Sequence, residues 1–331
     1  MTDDDAVLPP SPPETAQPVP APPPQYTIFR GPNGTRAGWR ALLFLAFCAA
    51  QLFAFAIALF LVSRLGGGLP GAGSRPMLTP LGTVISSGSI FLIAALSALL
   101  MSRIERRDFS VYGLPPRLAF RKHFWIGTLA GFAAISVCLL GIFAFHGFRL
   151  SGVAIHGTTL VAATAAWSAT FVVVGLSEEF AFRGYLQYTL TTGMGFWPSA
   201  AVMSVVFGAA HLGNPGETVF GLSSVVLFGL LFCLFLRRTG NLWWAVGFHA
   251  GWDWGQTFFY GVPDSGMPAY HSLFGSALSG PSWLTGGTVG PEASIFAPIA
   301  LLIVAALFSR AYPANLPAQK LHTAAASPTT S

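Results

Sequence analysis

The sequence predicts an all-α, polytopic membrane helix bundle of about eight transmembrane helices, and three observations carry that prediction. Hydrophobic residues make up 53% of the 331-residue chain and charged residues only 9%, against about 25% charged in an ordinary soluble domain. Mean hydropathy is +0.61. Apolar runs near the roughly 20 residues that cross about 30 Å of hydrocarbon recur along the chain, so the core is built from packed spans and not from one soluble globule.

Taken in order, residues 1–40 open with Asp3, Asp4 and Asp5 and continue through the proline-dense stretch from Pro9 to Pro24. Without a periodic apolar pattern this reads as a disordered, polyproline-like cytoplasmic tail. The run Ala41 to Val62 lies too deep in the chain, and is too long, for a cleaved signal peptide, and is the first span. Further apolar runs fall at 78–101, 123–145, 157–176 (the helix continuing towards 190), 196–211, 218–236, 242–259 and 293–309. Residues 41–310 are therefore expected to form one membrane domain, with 311–331 a second disordered tail.

The formal net charge of +5 is mostly arginine, clustered at the ends of the apolar runs. Such clusters set topology; nucleic-acid binding is excluded as a function. Placing the amino terminus in the cytoplasm puts Arg30, Arg36 and Arg40, then Arg103 to Lys122, Arg237 with Arg238, and Arg310 with Lys320 all on that side. Arg64, Arg75 and Arg149 fall on the other. Both termini are thus expected in the cytoplasm, in the inner membrane of a bacterium. Cys48, Cys138 and Cys233 sit singly in apolar runs and read as packing residues. The Gly, Ser and Pro-rich connection from Gly261 to Pro291 belongs outside, with Trp283 at the interface. Trp243, Trp244, Trp252 and Trp254 read as an interfacial belt and ordinary packing, outside the site.

The chemistry lies in the later spans. Gly175-Leu-Ser-Glu-Glu-Phe-Ala-Phe-Arg183 puts two carboxylates and an arginine on the fourth helix, each costing several kcal/mol if left unpaired in hydrocarbon. At about 100° per residue, Glu179 and Arg183 share a face and Glu178 points roughly 100° away from Glu179. Glu179 is therefore expected to pair with Arg183 and hold the helix, leaving Glu178 as general base in a polar cavity; the bland alternative is one buried ion-pair lock. The fifth span brings Phe207-x-x-x-His211 and the seventh His249-x-x-x-Asp253, the latter two on one face. Imidazole and carboxylate are ligands of a catalytic divalent metal, zinc foremost, with Glu178, His211, His249 and Asp253 as its set. The same groups activate water without a metal. Either way the reaction is hydrolysis. Glu178, late in an inward-running helix, belongs in the cytoplasmic half, whereas His211 falls at the outer end of its span; joining them needs a polar funnel or a displaced span.

Those three ordered motifs, Glu178-Glu179-x-x-x-Arg183, Phe207-x-x-x-His211 and His249-x-x-x-Asp253, resemble the CPBP (Abi) intramembrane protease family, which includes the type II CAAX prenyl endopeptidases. The resemblance covers about 160–260. It implies a catalytic core there, with Glu178 as the water-activating glutamate, Glu179 and Arg183 as its support, and His211 sharing the water or metal. It also implies His249 and the residue four later as the pair that stabilises the oxyanion or binds metal, in a family described both as metalloprotease and as metal-independent glutamate protease. At that last position relatives such as the CAAX endopeptidases carry asparagine and this chain carries Asp253; an amide donates to an oxyanion and an ionised aspartate does not. The implied partner is a peptide or protein substrate at the lipid bilayer, lipidated or not. The competing classes are a proton-coupled transporter, since intramembrane Glu, Arg and His also build ion relays, and a non-catalytic membrane partner.

Overall fold

Each apolar run becomes a helix, and local chemistry fixes where the helices stop. The computed structural model describes residues 27–31, 34–65 and 77–314; the proline-rich stretch and the tail after 314 lie outside them. The chain forms α1 (Ala37–Leu65), α2 (Pro80–Glu105), α3 (Lys122–Ala144), α4 (Gly157–Arg183), α5 (Tyr185–Met194), α6 (Phe196–Ala210), α7 (Val219–Thr239), α8 (Trp243–Asp253), the single turn α9 (Ser282–Thr285) and α10 (Phe296–Ala311). This is an all-α membrane bundle. Among the described residues α1, α2, α3, α4 (with α5) and α7 are long and apolar enough to cross a bilayer. Of the other three expected spans, α6 and α10 have 15 and 16 residues, about 22–24 Å at 1.5 Å per residue. The third, α8, runs on into a π-helical turn over Trp254–Phe259.

Caps explain several boundaries. Thr79 accepts a hydrogen bond from the Gly82 amide, with Pro80 opening α2, and Thr218 accepts from the Gly221 amide at the start of α7. The helix expected to run on towards 190 breaks at Gly184, where a Cβ would lie 2.4 Å from the Phe180 carbonyl oxygen. α4 and α5 are therefore separate helices.

The closest helix pair is α3 with α8, and glycine makes it so. A Cβ at Gly127 would meet the Trp244 carbonyl oxygen at 2.3 Å and one at Gly131 the Phe248 carbonyl oxygen at 2.0 Å. Reciprocally, Gly247 and Gly251 press on the carbonyl oxygens of Phe124 and Thr128. Two facing G-x-x-x-G patterns thus bring backbone to backbone, the usual device where lipid offers no hydrophobic drive for helix association. Gly175 does the same between α4 and α8, its Cβ position being 2.9 Å from the Val246 carbonyl oxygen.

The basic clusters gather at one end. There Arg40 pairs with Glu105 at 2.5 Å, Arg107 reaches the Tyr188 hydroxyl, Arg237 lies over the Phe196 ring, and the Leu242 amide bonds to the Gly113 carbonyl. At the opposite end, β3 (Phe148–Val153) pairs antiparallel with β4 (Phe274–Leu278), Phe148 facing Leu278 and Val153 facing Phe274, with a bulge between Leu150 and Gly152. This small sheet was not foreseen. It folds the long connection back over the helix ends, where Leu78 bridges Ala269 and the Trp167 indole donates to the Tyr270 carbonyl. Residues 27–36 form a separate unit, a hairpin of β1 (Arg30–Gly31) and β2 (Gly34–Thr35) with Arg30 opposite Thr35.

Candidate functional site

On α4, successive side chains leave the helix about 100° apart, so Glu178 and Glu179 enter different surroundings. Glu179 is fully buried, with its Oε1 3.4 Å from Arg183 Nη1 and 2.9 Å from His249 Nδ1. Arg183 is buried too; its guanidinium lies 4.1 Å from the Phe207 ring centroid and 5.4 Å from that of Phe232. Ring faces thus take up charge that no second carboxylate neutralises. Room for the guanidinium comes from Gly229 on α7, where a Cβ would lie 2.9 Å from Nη2.

Glu178 turns instead to a cavity of about 430 Å³. Its side chain is 30% exposed, and Oε2 is buried without a hydrogen-bond partner. On α8, His249 and Asp253 lie one turn apart on the face towards α4, brought there by Gly175. His249 Nδ1 can only donate to the Glu179 carboxylate, which fixes the ring and aims Nε2 at 3.4 Å from Asp253 Oδ2 and 3.7 Å from Glu178 Oε2. Glu179 therefore does more than pair with Arg183: it ties α4 to the imidazole of α8.

His211 closes α6. Its Nδ1 lies 2.8 Å from the Phe207 carbonyl oxygen, an acceptor, so Nδ1 carries the proton and the neutral ring keeps a lone pair on Nε2. Glu178, His211, His249 and Asp253 all line the same cavity; Glu179 and Arg183 stand behind it. The separation expected between Glu178 and His211 is met by one cavity that both side chains line. Its walls include Leu78 and Asp264 at the sheet end and Ala181 and Phe232 deep among the helices, so it spans the separation between His211 and Glu178.

Several polar groups on these walls escaped the sequence reading. Asp264 accepts from the Thr257 hydroxyl at 2.8 Å, and Glu292 accepts from the Ser265 amide at 2.6 Å and from the Gln256 side-chain amide. Both belong to the connection between α8 and α10. Burial, and for Glu292 the facing Asp264 carboxyl, push their proton affinities up, against the hydrogen bonds they accept. Two acids in an otherwise acid-free connection were the available signal. Asn214, just beyond His211, joins them, as do Thr83, Ser86 and Ser87 on α2 and Ser265 beside Asp264. Trp252, assigned to packing, does line the cavity, and its indole donates to Gln256 at 2.8 Å.

By type, these donors suit a divalent ion. As arranged they do not form a site for one: among the described residues no three or more His, Cys, Asp or Glu side chains gather so as to hold a metal. Glu179 and the Phe207 carbonyl already engage Nδ1 of the two histidines.

Residues 160–255, which contain all six charged and histidine residues of the three motifs, match the family model described as type II CAAX prenyl endopeptidase Rce1-like. The match is to the same CPBP/CAAX protease family that the motifs resemble. Among curated proteins none matches the chain.

Proposed function

Taking that match as premise, we propose that the chain is an intramembrane endopeptidase that hydrolyses peptide bonds of membrane-associated or lipidated substrates with water activated by Glu178. The observation that carries this is the convergence of Glu178, His211, His249 and Asp253 on one cavity, with a Glu178 oxygen buried and unpartnered. Water between Glu178 and a histidine Nε2 gives its proton to Glu178 as its oxygen bonds to the scissile carbonyl carbon. The carbon–nitrogen bond then breaks, and Glu178 returns the proton to the leaving amine. Glu179, held by Arg183, fixes His249 in the tautomer whose Nε2 faces the reacting groups.

The apolar part of the wall, including Ile90, Phe171, Val174 and Phe228, suits a substrate that reaches the site from lipid. With the basic end in the cytoplasm, as the positive-inside rule requires, the sheet end faces outward. The test uses detergent-purified protein with lipidated and plain peptides. Cleavage by the wild type, lost in Glu178→Ala and in His211→Ala, supports the assignment; both variants retaining activity would sink it.

A further inference from the structure

A hydrolytic site needs a donor for the developing oxyanion as well as a base, and removing one such donor typically costs about 10²–10³ in kcat. Asp253 stands where an amide would serve, and its Oδ2 is turned to His249 Nε2 at 3.4 Å. The remaining donors on the cavity wall are few. His211 Nδ1 is committed to the Phe207 carbonyl, the Trp252 indole to Gln256 and His249 Nδ1 to Glu179, while His249 Nε2 is turned to the Asp253 and Glu178 carboxylates; the Ser87 hydroxyl and the Asn214 amide are among those left.

Of the described residues that line the cavity, two carry a buried polar side-chain atom without a hydrogen-bond partner: Glu178 through Oε2 and Asn214 through Nδ2. One is an acceptor and the other a donor. A buried amide N–H left unsatisfied bears its full desolvation cost with nothing in return, so such a group calls for an explanation.

The backbone around Asn214 is also fixed. Its amide donates to the His211 carbonyl at 3.0 Å, and its carbonyl accepts from the Glu217 amide at 3.2 Å. The connection from α8 to α10 backs the turn. Gly266 (φ +79°) sits where a Cβ would be 2.1 Å from the Pro215 carbonyl oxygen, and a Cβ at Gly216 (φ +77°) would be 2.0 Å from the Thr288 hydroxyl. A donor held this way needs little reorganisation as charge develops.

We propose that Asn214 is a catalytic residue of this site, its side-chain amide donating to the oxyanion of the tetrahedral intermediate in place of the amide that Asp253 lacks. The proposal rests on the peptidase reading above and adds the donor to it. Asn214 comes from the turn after α6 and Asp253 from α8, so the donor has moved from one helix to another.

The experiment is steady-state cleavage by full-length protein in detergent, with thermal unfolding of each variant. Asn214→Ala and the shape-matched Asn214→Asp are expected to lose about 10²–10³ in kcat, with KM within about twofold and unfolding midpoints unmoved. In the Asn214→Ala background, Asp253→Asn restores a donor and is expected to recover at least about tenfold in kcat, a rescue that a structural role does not produce. Asn214→Asp within about threefold of wild type, while Glu178→Ala is dead, overturns the assignment and leaves the peptidase reading standing. A loss that comes with a lowered midpoint and no rescue by Asp253→Asn also overturns it. If the wild type cleaves neither lipidated nor plain peptides, the peptidase reading itself falls, and this donor with it.

Discussion

Two charged clusters sit among these helices, and they differ in how completely they are paired. At the basic end, Glu105 receives Arg40 on both oxygens, the Tyr185 hydroxyl on Oε1, and Arg107 at 3.3 Å from Oε2. Neither oxygen of Glu105 is left over, although Arg107 Nε is buried without a hydrogen-bond partner, and none of these residues lines the cavity beside Glu178. Around Glu178 the count fails: one oxygen of Glu178, one of Glu179 and two nitrogens of Arg183 have no hydrogen-bond partner. A buried cluster whose carboxylate is fully satisfied stabilises an arrangement of helices. One that leaves atoms unpaired beside a cavity is arranged for a ligand, at a cost in stability that the rest of the bundle bears.

The sharpest way to break the comparison is to remove one carboxylate from each cluster and measure stability and cleavage together. Glu178→Gln is expected to lower kcat by about 10²–10⁴, the usual worth of a positioned general base, with the unfolding midpoint unchanged or raised. Glu105→Ala should do the reverse. It strands Arg40 and Tyr185, costs about 3–5 kcal/mol of stability as broken buried pairs do, and leaves cleavage per folded molecule near wild type. If Glu105→Ala abolishes cleavage without unfolding, the two clusters are not separable in this way.

Glu179 sharpens the contrast because it belongs to both types, paired on Oε1 and unpaired on Oε2. Glu179→Gln is expected to lower stability, since Arg183 loses its partner, and also to lower kcat by about 10–100-fold, since a ring misplaced by about 1 Å costs that much. A variant that loses stability alone would return Glu179 to the purely structural class.

Much of the bundle was written in the sequence because hydropathy and arginine placement are local signals. Every apolar run is a helix, and one end collects the basic clusters. Helical spacing also placed Glu179 and Arg183 on one face and turned Glu178 away. What stayed hidden needed partners distant in sequence. Whether Glu179 would reach His249, 70 residues on, depends on Gly175 letting α8 approach. The break at Gly184 is a contact inside one turn that the continuing apolar pattern masks. In the β3–β4 pairing, Phe148-Arg-Leu-Ser151 alternates for only four residues before the bulge, and Phe274-Gly-Ser-Ala-Leu278 does not alternate. The facing G-x-x-x-G patterns of α3 and α8 were legible as sequence but went unread.

A smaller effect concerns the acids of the connection between α8 and α10. Burial, then the Asp264 carboxyl, raises the proton affinity of Glu292 well above the ordinary glutamate range. A carboxyl raised in the folded state adds stability that is fully present below its unfolded value, about 4.3, and is lost as pH rises through the raised one. The unfolding midpoint is therefore expected to fall as pH is raised above about 4.3. In Glu292→Gln that slope should flatten, read by thermal scans in a buffer series. An unchanged slope would mean that Glu292 titrates normally.

The smallest expected effect is that of metal removal, and it bears on why the polar atoms are left unpaired. A divalent ion needs several donors turned to one point. Here each histidine presents only Nε2 to the cavity, and among the described residues no set of three donors gathers. Unpaired atoms on Glu178 and Asn214 instead match what water and an oxyanion require, one acceptor and one donor. Prolonged dialysis against a strong chelator should therefore leave the cleavage rate within about twofold and the unfolding midpoint unmoved, because an ion bound to the folded state alone would raise that midpoint by mass action. Loss of both on chelation, with recovery on adding zinc, would show that Glu178, His211, His249 and Asp253 rearrange around an ion, and that the open valences of this cluster belong to a metal.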